Sequence, residues 1–410
     1  MTETTARYAL AKAAGRAAAG LSRLTGRGGG TTIGGRVTLL VDPGALSRAA
    51  AGRELALVTG TNGKTTTRTM LVAALRTRGP VVSNSGGANL PTGLTAALSN
   101  DRDSPIGVLE VDEPFLPQVA AAVHPRAVVL LNLSRDQLDR YAEVRRLAAI
   151  WRDTLSGPDA PSVIANADDP LVVYGASAAS DVTWVAAGQT WTYDSTSCPA
   201  CGDVLRRDGA TWRSDGCGLH RPDPHWKVDG DEVIDPAGRR HHVTLALPGQ
   251  VNIGNAALAG AAAGAWGVDA ETAFAAMARI PSVEGRYLET THAGRPVRLL
   301  LAKNPAGWSE ALRMARPDTG LVVAVNARAA DGRDPSWLWD VPFEVLAGRH
   351  AVATGERSRD VAVRLRYAGV DHARVDDLAA AVRAAQGAGP VEVLANYTAF
   401  QRYRKVVGDG

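Results

Sequence analysis

The sequence predicts an α/β protein with a mainly parallel sheet in its central domain, a small zinc-ribbon-like insert there, and a separate C-terminal α/β domain. Three observations carry that prediction. Between Leu55 and Asn166, apolar runs of strand length alternate with helical patterns, the arrangement of a doubly wound sheet. The alternation breaks over residues 190–227, where a CPAC knuckle precedes SDGC. From Arg298 a second series begins with VRLLLAKNPAGW, LVVAVNARAADGRDPSWLWD, HAVATGER and VEVLANYT, each a strand pattern with a polar end. At 410 residues the chain exceeds one ordinary core. The predicted division is an N-terminal helical and linker segment (1–48), a central domain (49–296) and a C-terminal α/β domain (297–410), with a ligand cleft expected between the last two.

The formal charge of +3 from 45 basic and 42 acidic residues is nearly balanced, which gives no support to nucleic-acid binding. Only 5 of the basic residues are Lys, so Lys64 and Lys303, both in motif-like stretches, are informative. No apolar run reaches the length of a membrane span. Residues 7–27 are Ala-rich and interrupted by Arg7, Lys12, Arg16, Arg23 and Arg27, which excludes a secretory h-region. A docked helix, a membrane-surface helix and a transit peptide remain open there. Gly28 to Gly35 reads as a linker, and a short helix is expected before Leu55.

Next comes LALVTGTNGKTTT. A buried strand delivers the chain to Gly60, Thr61, Asn62 and Gly63, then to Lys64, Thr65 and Thr66 at the head of a helix. Successive amides of such a turn face an anion, the Lys adds a point charge for the β- and γ-phosphates, and Thr65 is placed for Mg²⁺. Val58 stands where the common phosphate-loop pattern has its first Gly, so the loop is a shortened form. The strand pattern IGVLEVDE ends in Glu110, Asp112 and Glu113; RAVVLLNLS leads into an acidic run; SVIANADDP ends in Asn166, Asp168 and Asp169. Ligands of open α/β sheets gather at these carboxyl ends, so acids there are candidates for metal work.

In the insert, Cys198 and Cys201 form one intact knuckle, and after fifteen residues Cys217 follows with Ser214 where a paired Cys would lie. Three clustered cysteines point to structural zinc in a reducing compartment, with Asp215, His220, His225 or water as the fourth ligand. A metal-free loop held by Trp191, Trp212 and Trp226 is the competing reading. Beyond it HHVTLALPGQVNIGNAALAG reads as strand, turn and small-residue helix, with Asn252 and Asn255 one turn apart, and Arg286 follows.

Taken in order, these motifs resemble the Mur ligase superfamily, the ATP-dependent amide-forming enzymes of peptidoglycan synthesis. The CPAC insert and the run AVNARAADGRDPSWLWD resemble its MurT branch, over roughly residues 5–405. The resemblance implies that Lys64, Thr65 and the backbone from Gly60 to Thr66 hold ATP phosphates and Mg²⁺, with Glu110 as a metal ligand. It implies that Asn252 and Asn255 border the adenine, that Arg286 reaches toward the nucleotide, and that Lys303 and Asn304 belong to a segment closing over ATP. The family's D-H-x-D becomes Asp136, Gln137, Leu138 and Asp139, and no Lys lies between 140 and 160 where many members carry one that helps a second Mg²⁺.

The implied reaction is ATP-dependent amidation of the α-carboxyl of D-glutamate in the stem peptide of lipid II, by way of an acyl phosphate. All three cysteines fall in the insert, which leaves no candidate glutaminase nucleophile. Ammonia is then expected from a glutamine amidotransferase partner of the GatD type, whose Cys-His pair would be completed by Asp334, with Asp331 and Asp340 as weaker choices. The implied location is the cytoplasm, with the basic N-terminus as a candidate contact to the inner face of the plasma membrane. A stand-alone Mur or folylpolyglutamate-type amino-acid ligase is the alternative enzyme, and a non-catalytic ATP-binding scaffold a third reading.

Overall fold

The structure is a computed structural model that describes residues 3–25, 31–136, 143–281, 287–387 and 389–408. The chain divides into two compact units, one comprising Met1–Leu133, Ala142–Ala246 and Gln250–Ile280, the other Ser134–Tyr141, Leu247–Gly249 and Pro281–Gly410.

The first unit opens with helices α1 (Glu3–Leu24), α2 (Thr31–Val41) and α3 (Ala45–Ala50). Strands and helices then alternate: β1 (Glu54–Thr59), α4 (Lys64–Leu75), β2 (Val81–Ser83), α5 (Pro91–Asn100), β3 (Ile106–Glu110), α6 (Leu116–Val123), β4 (Ala127–Leu130), α7 (Val144–Thr154), β5 (Ser162–Asn166), α8 (Pro170–Ala176) and β6 (Val182–Ala186). The insert carries the hairpin β7 (Arg206–Asp208) and β8 (Thr211–Arg213). Strands β9 (Trp226–Asp229), β10 (Glu232–Ile234) and β11 (Arg240–His242) and helices α9 (Gln250–Gly264) and α10 (Ala270–Ala278) complete the unit.

Its main sheet has the order β11-β10-β9-β6-β5-β4-β1-β3-β2, parallel from β9 to β2 and antiparallel at the β9-β10-β11 edge. Strand β1 lies inside the sheet, between β3 and β4, with Val58 opposite Glu110 of β3 and Val129 of β4. Leu55, Ala56, Leu57 and Val58 are fully buried, as a strand covered on both faces requires. This register brings the carboxyl ends of β1, β3 and β4 to one rim.

Two expectations change here. The glycines read as a linker fall partly inside α2, because Gly35 packs where a Cβ would stand 1.8 Å from the Thr92 carbonyl oxygen of α5. They serve close helix contact rather than slack. The strand pattern HHVTLAL also stops early, since β11 ends at His242.

The second unit holds β12 (Tyr287–His292), β13 (Arg295–Leu301), α11 (Pro305–Met314), β14 (Gly320–Ala324), β15 (His350–Thr354), α12 (Ser358–Tyr367), β16 (Asp371–Arg374), α13 (Leu378–Ala384), β17 (Val391–Ala395) and α14 (Tyr397–Gly408). Its six strands run β12-β13-β17-β14-β15-β16, with β12 alone antiparallel. Ala293 and Gly294, both at positive φ, make the two-residue turn that β12 and β13 need. Within the sheet Arg298 and Glu392 stand opposite each other and form a buried 2.6 Å ion pair.

Candidate functional site

The rim formed by β1, β3 and β4 organises the site. After Thr59 the chain turns through Gly60 and Gly63, at φ 140° and 87°, and enters α4 at Lys64. At Gly63 a Cβ would also stand 2.7 Å from Asn255 Oδ1 of α9, so only glycine lets the loop pass beneath that helix. Asn132, just beyond β4, pins the loop from the other side. Its carbonyl accepts the Thr61 amide at 2.9 Å, its Oδ1 accepts the Asn62 amide at 2.9 Å, and its Nδ2 donates to the Asn62 carbonyl at 3.0 Å. In the first turn of α4, from Gly63 to Thr66, backbone N–H groups have no partner within the helix, an arrangement able to receive an anion.

Lys64 is buried at the bottom of this loop. Its Nζ donates to the Gly60 carbonyl at 2.6 Å and to Glu113 Oε2 at 3.0 Å, with Asp112 Oδ1 3.8 Å away. Burial pulls the ammonium pKa down, but the charges of Glu113, Asp112 and Glu110 outweigh it and leave Lys64 above its ordinary value. Burial likewise raises Glu113, and the Lys64 charge reverses this, holding the carboxylate below its ordinary range.

Of the three acids of IGVLEVDE, Glu110 thus separates from Glu113, while Asp112 stays beside Glu113 at Lys64. Glu110 ends β3 with its backbone clasped by Asn84, whose Oδ1 accepts the Glu110 amide at 2.8 Å and whose Nδ2 donates to the Glu110 carbonyl at 2.9 Å; its carboxylate faces Arg68 at 3.7 Å. Glu113 begins a 3₁₀ turn, Glu113–Phe115, which points it to Lys64, and its carbonyl accepts Trp151 Nε1 at 3.2 Å. Sequence reasoning ranked Glu110 above Glu113, and nothing in the local pattern announces the turn. It also missed Asn132, whose place at the end of the VVLLNLS run was the available signal.

The acids after β5 are structural. Asp169 caps α8 by accepting the Leu171 and Val172 amides, and also receives the Leu133 amide at 2.9 Å. Burial lifts its carboxyl to about 6 against these hydrogen bonds. Asp168 pairs with Arg221 at 2.7 Å.

Asn252 and Asn255 lie in the first turns of α9, with Asn255 Nδ2 3.3 Å from Asn252 Oδ1, so the structure brings Asn255 against the loop at Gly63 and holds Asn252 beside it. Arg286 and the positions Gln137, Leu138 and Asp139 lie outside the described residues. In the second unit, Asn304 caps α11 by accepting the Gly307 amide at 2.9 Å, and Lys303 sits over the Tyr397 ring at 5.2 Å. Of the acids considered there, Asp331 is buried and accepts the Thr398 amide at 2.8 Å. Asp340 pairs with Arg135 at 3.5 Å. Asp334 is exposed and accepts the Ser336 amide and hydroxyl at 2.9 and 2.8 Å, which lower its pKa.

The insert gathers all three cysteines. Their sulfurs lie within 4.8 Å of one another, with Cys198 and Cys217 3.5 Å apart. Sulfurs around one tetrahedral zinc stand ~3.8 Å apart, so the triad fits such an ion. Burial raises the Cys198 thiol, yet donation from the Cys201 and Ala200 amides and the Ser214 hydroxyl brings it down to about 7. Ser214, buried at 2% exposure, holds its Oγ 3.2 Å from Cys201 Sγ and 3.6 Å from Cys217 Sγ. His220 is not brought into the cluster: it is exposed and its Nδ1 lies 2.8 Å from the Gly218 carbonyl.

Residues 58–263 match the Mur ligase middle domain, and residues 301–400 match the MurT ligase C-terminal domain. The chain is 30% identical to the MurT subunit of the glutamine-hydrolysing lipid II isoglutaminyl synthase of Streptococcus pneumoniae, over 94% of both chains. The corresponding Staphylococcus aureus subunit is 28% identical over 85% of both. Among solved structures, a pseudomurein peptide ligase type C from Methanothermus fervidus superposes with a TM-score of 0.68 at 20% identity, covering 87% of this chain and 79% of that one. The MurF ligase of Thermotoga maritima, in complex with ADP, gives 0.63 at 15% identity over 89% and 82%. These two show the fold.

Proposed function

Because the chain belongs to the Mur ligase family, and within it to the MurT subunits, we propose that it is the synthetase subunit of a lipid II isoglutaminyl synthase. It is an ATP-dependent carbon–nitrogen ligase that amidates the α-carboxyl of D-glutamate in the lipid II stem peptide. The γ-phosphoryl of ATP moves to a carboxylate oxygen, ammonia attacks the carbonyl carbon, and phosphate leaves as the amide forms.

The residues divide this work. The first turn of α4 receives phosphate oxygens, and Lys64 shifts its ammonium from the Gly60 carbonyl and Glu113 to the β- and γ-phosphates. Mg²⁺ bound by Thr65 and by Glu113 or Glu110 would neutralise charge on the transferring group. Asn255 keeps α9 against the loop, and Asn252 beside it borders the adenine. Arg286, Lys303 and Asn304 are assigned to nucleotide contact on the family resemblance alone. The zinc reading takes Cys198, Cys201 and Cys217 as three ligands and the Ser214 hydroxyl, rather than His220, as the fourth donor; the ion would tie the two knuckles together.

The observation that carries the amidation reading is the gathering of all three cysteines in one cluster, in a chain matched along 94% of its length by a subunit of a glutamine-hydrolysing enzyme. No cysteine is left to hydrolyse glutamine, so ammonia comes from a glutaminase partner of the GatD type. Asp334, exposed on its turn, completes that partner's Cys-His pair. The ligase works in the cytoplasm, at the membrane face where lipid II resides. The test supplies purified chain with ATP, Mg²⁺ and lipid II, and with ammonium chloride or with glutamine plus a GatD-type partner. Conversion of acid to amide, weighed by mass spectrometry, is expected in both arms. A strict requirement for an added amino acid would instead establish a stand-alone Mur or folylpolyglutamate-type ligase.

A further inference from the structure

Helix α1 is divided lengthwise into three faces. Ala11 and Gly15 are buried against neighbouring helices. Lys12, Arg16 and Arg23, spaced by four and seven residues, share a second face. Leu10, Leu21 and Leu24 share a third, and are 64%, 64% and 86% exposed; Leu40 of α2 is 73% exposed.

The cationic face lines a cavity of about 350 Å³ between α1, α2 and α5. Besides Lys12, Arg16 and Arg23 the lining includes Thr31, Ser99 and Asn100, and it contains no carboxylate. Among the described residues none of these three cations forms an ion pair, and Lys12 rests only over the Tyr8 ring at 4.7 Å. Elsewhere in the same unit Arg48, Arg53 and Arg126 are each paired, with Asp42, Asp101 and Glu54. In a chain whose basic and acidic residues nearly balance, three cations around one cavity without an acid are an unmet electrostatic demand. Hydroxyl and amide groups beside them suit a ligand with several acceptor oxygens, and the volume lies within the range of ligand pockets.

We propose that this cavity binds the phosphate of a lipid headgroup, with α1 lying on the lipid surface and Leu21 and Leu24 inserted beside it. The exposed leucines occupy a separate face, beginning about 100° round the helix at Leu24 from Arg23. A basic face and an apolar face on one helix are the pattern of an interfacial helix, and charge complementarity with anionic phosphate selects the occupant. The inference deepens the proposed function by seating the phosphate of a lipid-linked substrate. Its test reads binding without ATP, glutamine or partner, so it stands or fails separately from the ligase reaction.

The full chain is sedimented with phosphatidylcholine vesicles alone, with phosphatidic acid added, or with oleate at equal surface charge, and titrated with inorganic phosphate by calorimetry. Strong recruitment by phosphatidic acid is expected, with little by oleate. The variant Lys12→Gln/Arg16→Gln/Arg23→Gln should lose about a hundredfold in that recruitment, while an unchanged circular-dichroism melt reports its fold. Leu21→Ser/Leu24→Ser should lose vesicle recruitment but keep affinity for inorganic phosphate. Equal recruitment by oleate, unchanged recruitment of the triple variant, or phosphate binding without any recruitment to vesicles would each overturn the proposal.

Discussion

Replacing Glu113 tests the electrostatics of the loop between β1 and α4 and its proposed chemistry together. Lys64 Nζ and Glu113 Oε2 are 3.0 Å apart, with side chains only 9% and 10% exposed. Truncating one partner of a buried pair strands the other charge, at a cost of about 3–5 kcal/mol. Here the Gly60 carbonyl and Asp112 still face the ammonium, so Glu113→Leu should fall at the low end, about 3 kcal/mol. Glu113→Gln keeps the shape and one acceptor oxygen and should cost about 1–2 kcal/mol. Lys64→Met leaves the carboxylate stranded in turn. The double variant Lys64→Met/Glu113→Leu removes both charges, so its cost should undercut the sum of the singles by about 2 kcal/mol or more. Urea titrations of the four proteins at one ionic strength measure this coupling. Additivity within about 0.5 kcal/mol would refute the pair as an energetic unit. In the ligase assay Glu113→Gln should lower turnover about 10²–10³-fold, and Glu110→Gln, whose carboxylate faces Arg68, by less. The reverse order would make Glu110 the metal-binding acid.

Asp334→Asn should abolish glutamine-driven amidation while ammonium-driven turnover persists; loss of both, with the protein folded, would place Asp334 in the synthetase reaction itself. In the insert, Co²⁺ should bind with a three-thiolate spectrum. Ser214→Cys should shift it toward a four-thiolate one and slow loss of metal to a chelator, whereas His220→Ala should leave it unchanged; a spectral change in His220→Ala alone would exchange the two assignments. Burial works to raise Asp235, but hydrogen bonds from His241 and Arg239 hold its carboxyl at about 2. Because this folded value lies below the ordinary one of ~3.9, the stabilisation is present above about pH 4 and is lost as pH falls through about 2. Thermal melts across that window should decline less steeply for Asp235→Asn than for the parent.

What the sequence made legible was local. The turn between β1 and α4 declares itself because two glycines, a Lys and a Thr sit within a few residues between a strand and a helix. CPAC announces its knuckle for the same reason. Contacts across helices were not legible in this way: Gly35 looked like linker chemistry until α5 was seen against it. Strand β16, DHAR, lacks an apolar alternation because it is an edge that β15 completes through backbone pairing. Asn132 is an ordinary polar residue after an apolar run, and only the fold brings it back to the loop 70 residues earlier.

The strand-end acids show where such reading stops. All of them were visible as carboxylates at the ligand-binding edge of a parallel sheet, and that position alone made them candidates. Their tasks were settled by backbone events one to three residues long. Asp169 stands before a proline that starts α8, so it turns back to cap that helix and is consumed by amides. Glu110 is still on its strand, and its direction is set by the pleat and by Asn84. Glu113 lies past the strand in a 3₁₀ turn, which frees it from the pleat and lets it reach Lys64. An acid that neutralises the loop lysine can also exchange that contact when phosphates arrive. One already committed to a helix cap cannot, because moving it would strand buried amides. The division of labour at this rim therefore follows from where each strand ends, and Glu113, with Asp112 beside it, is left able to move.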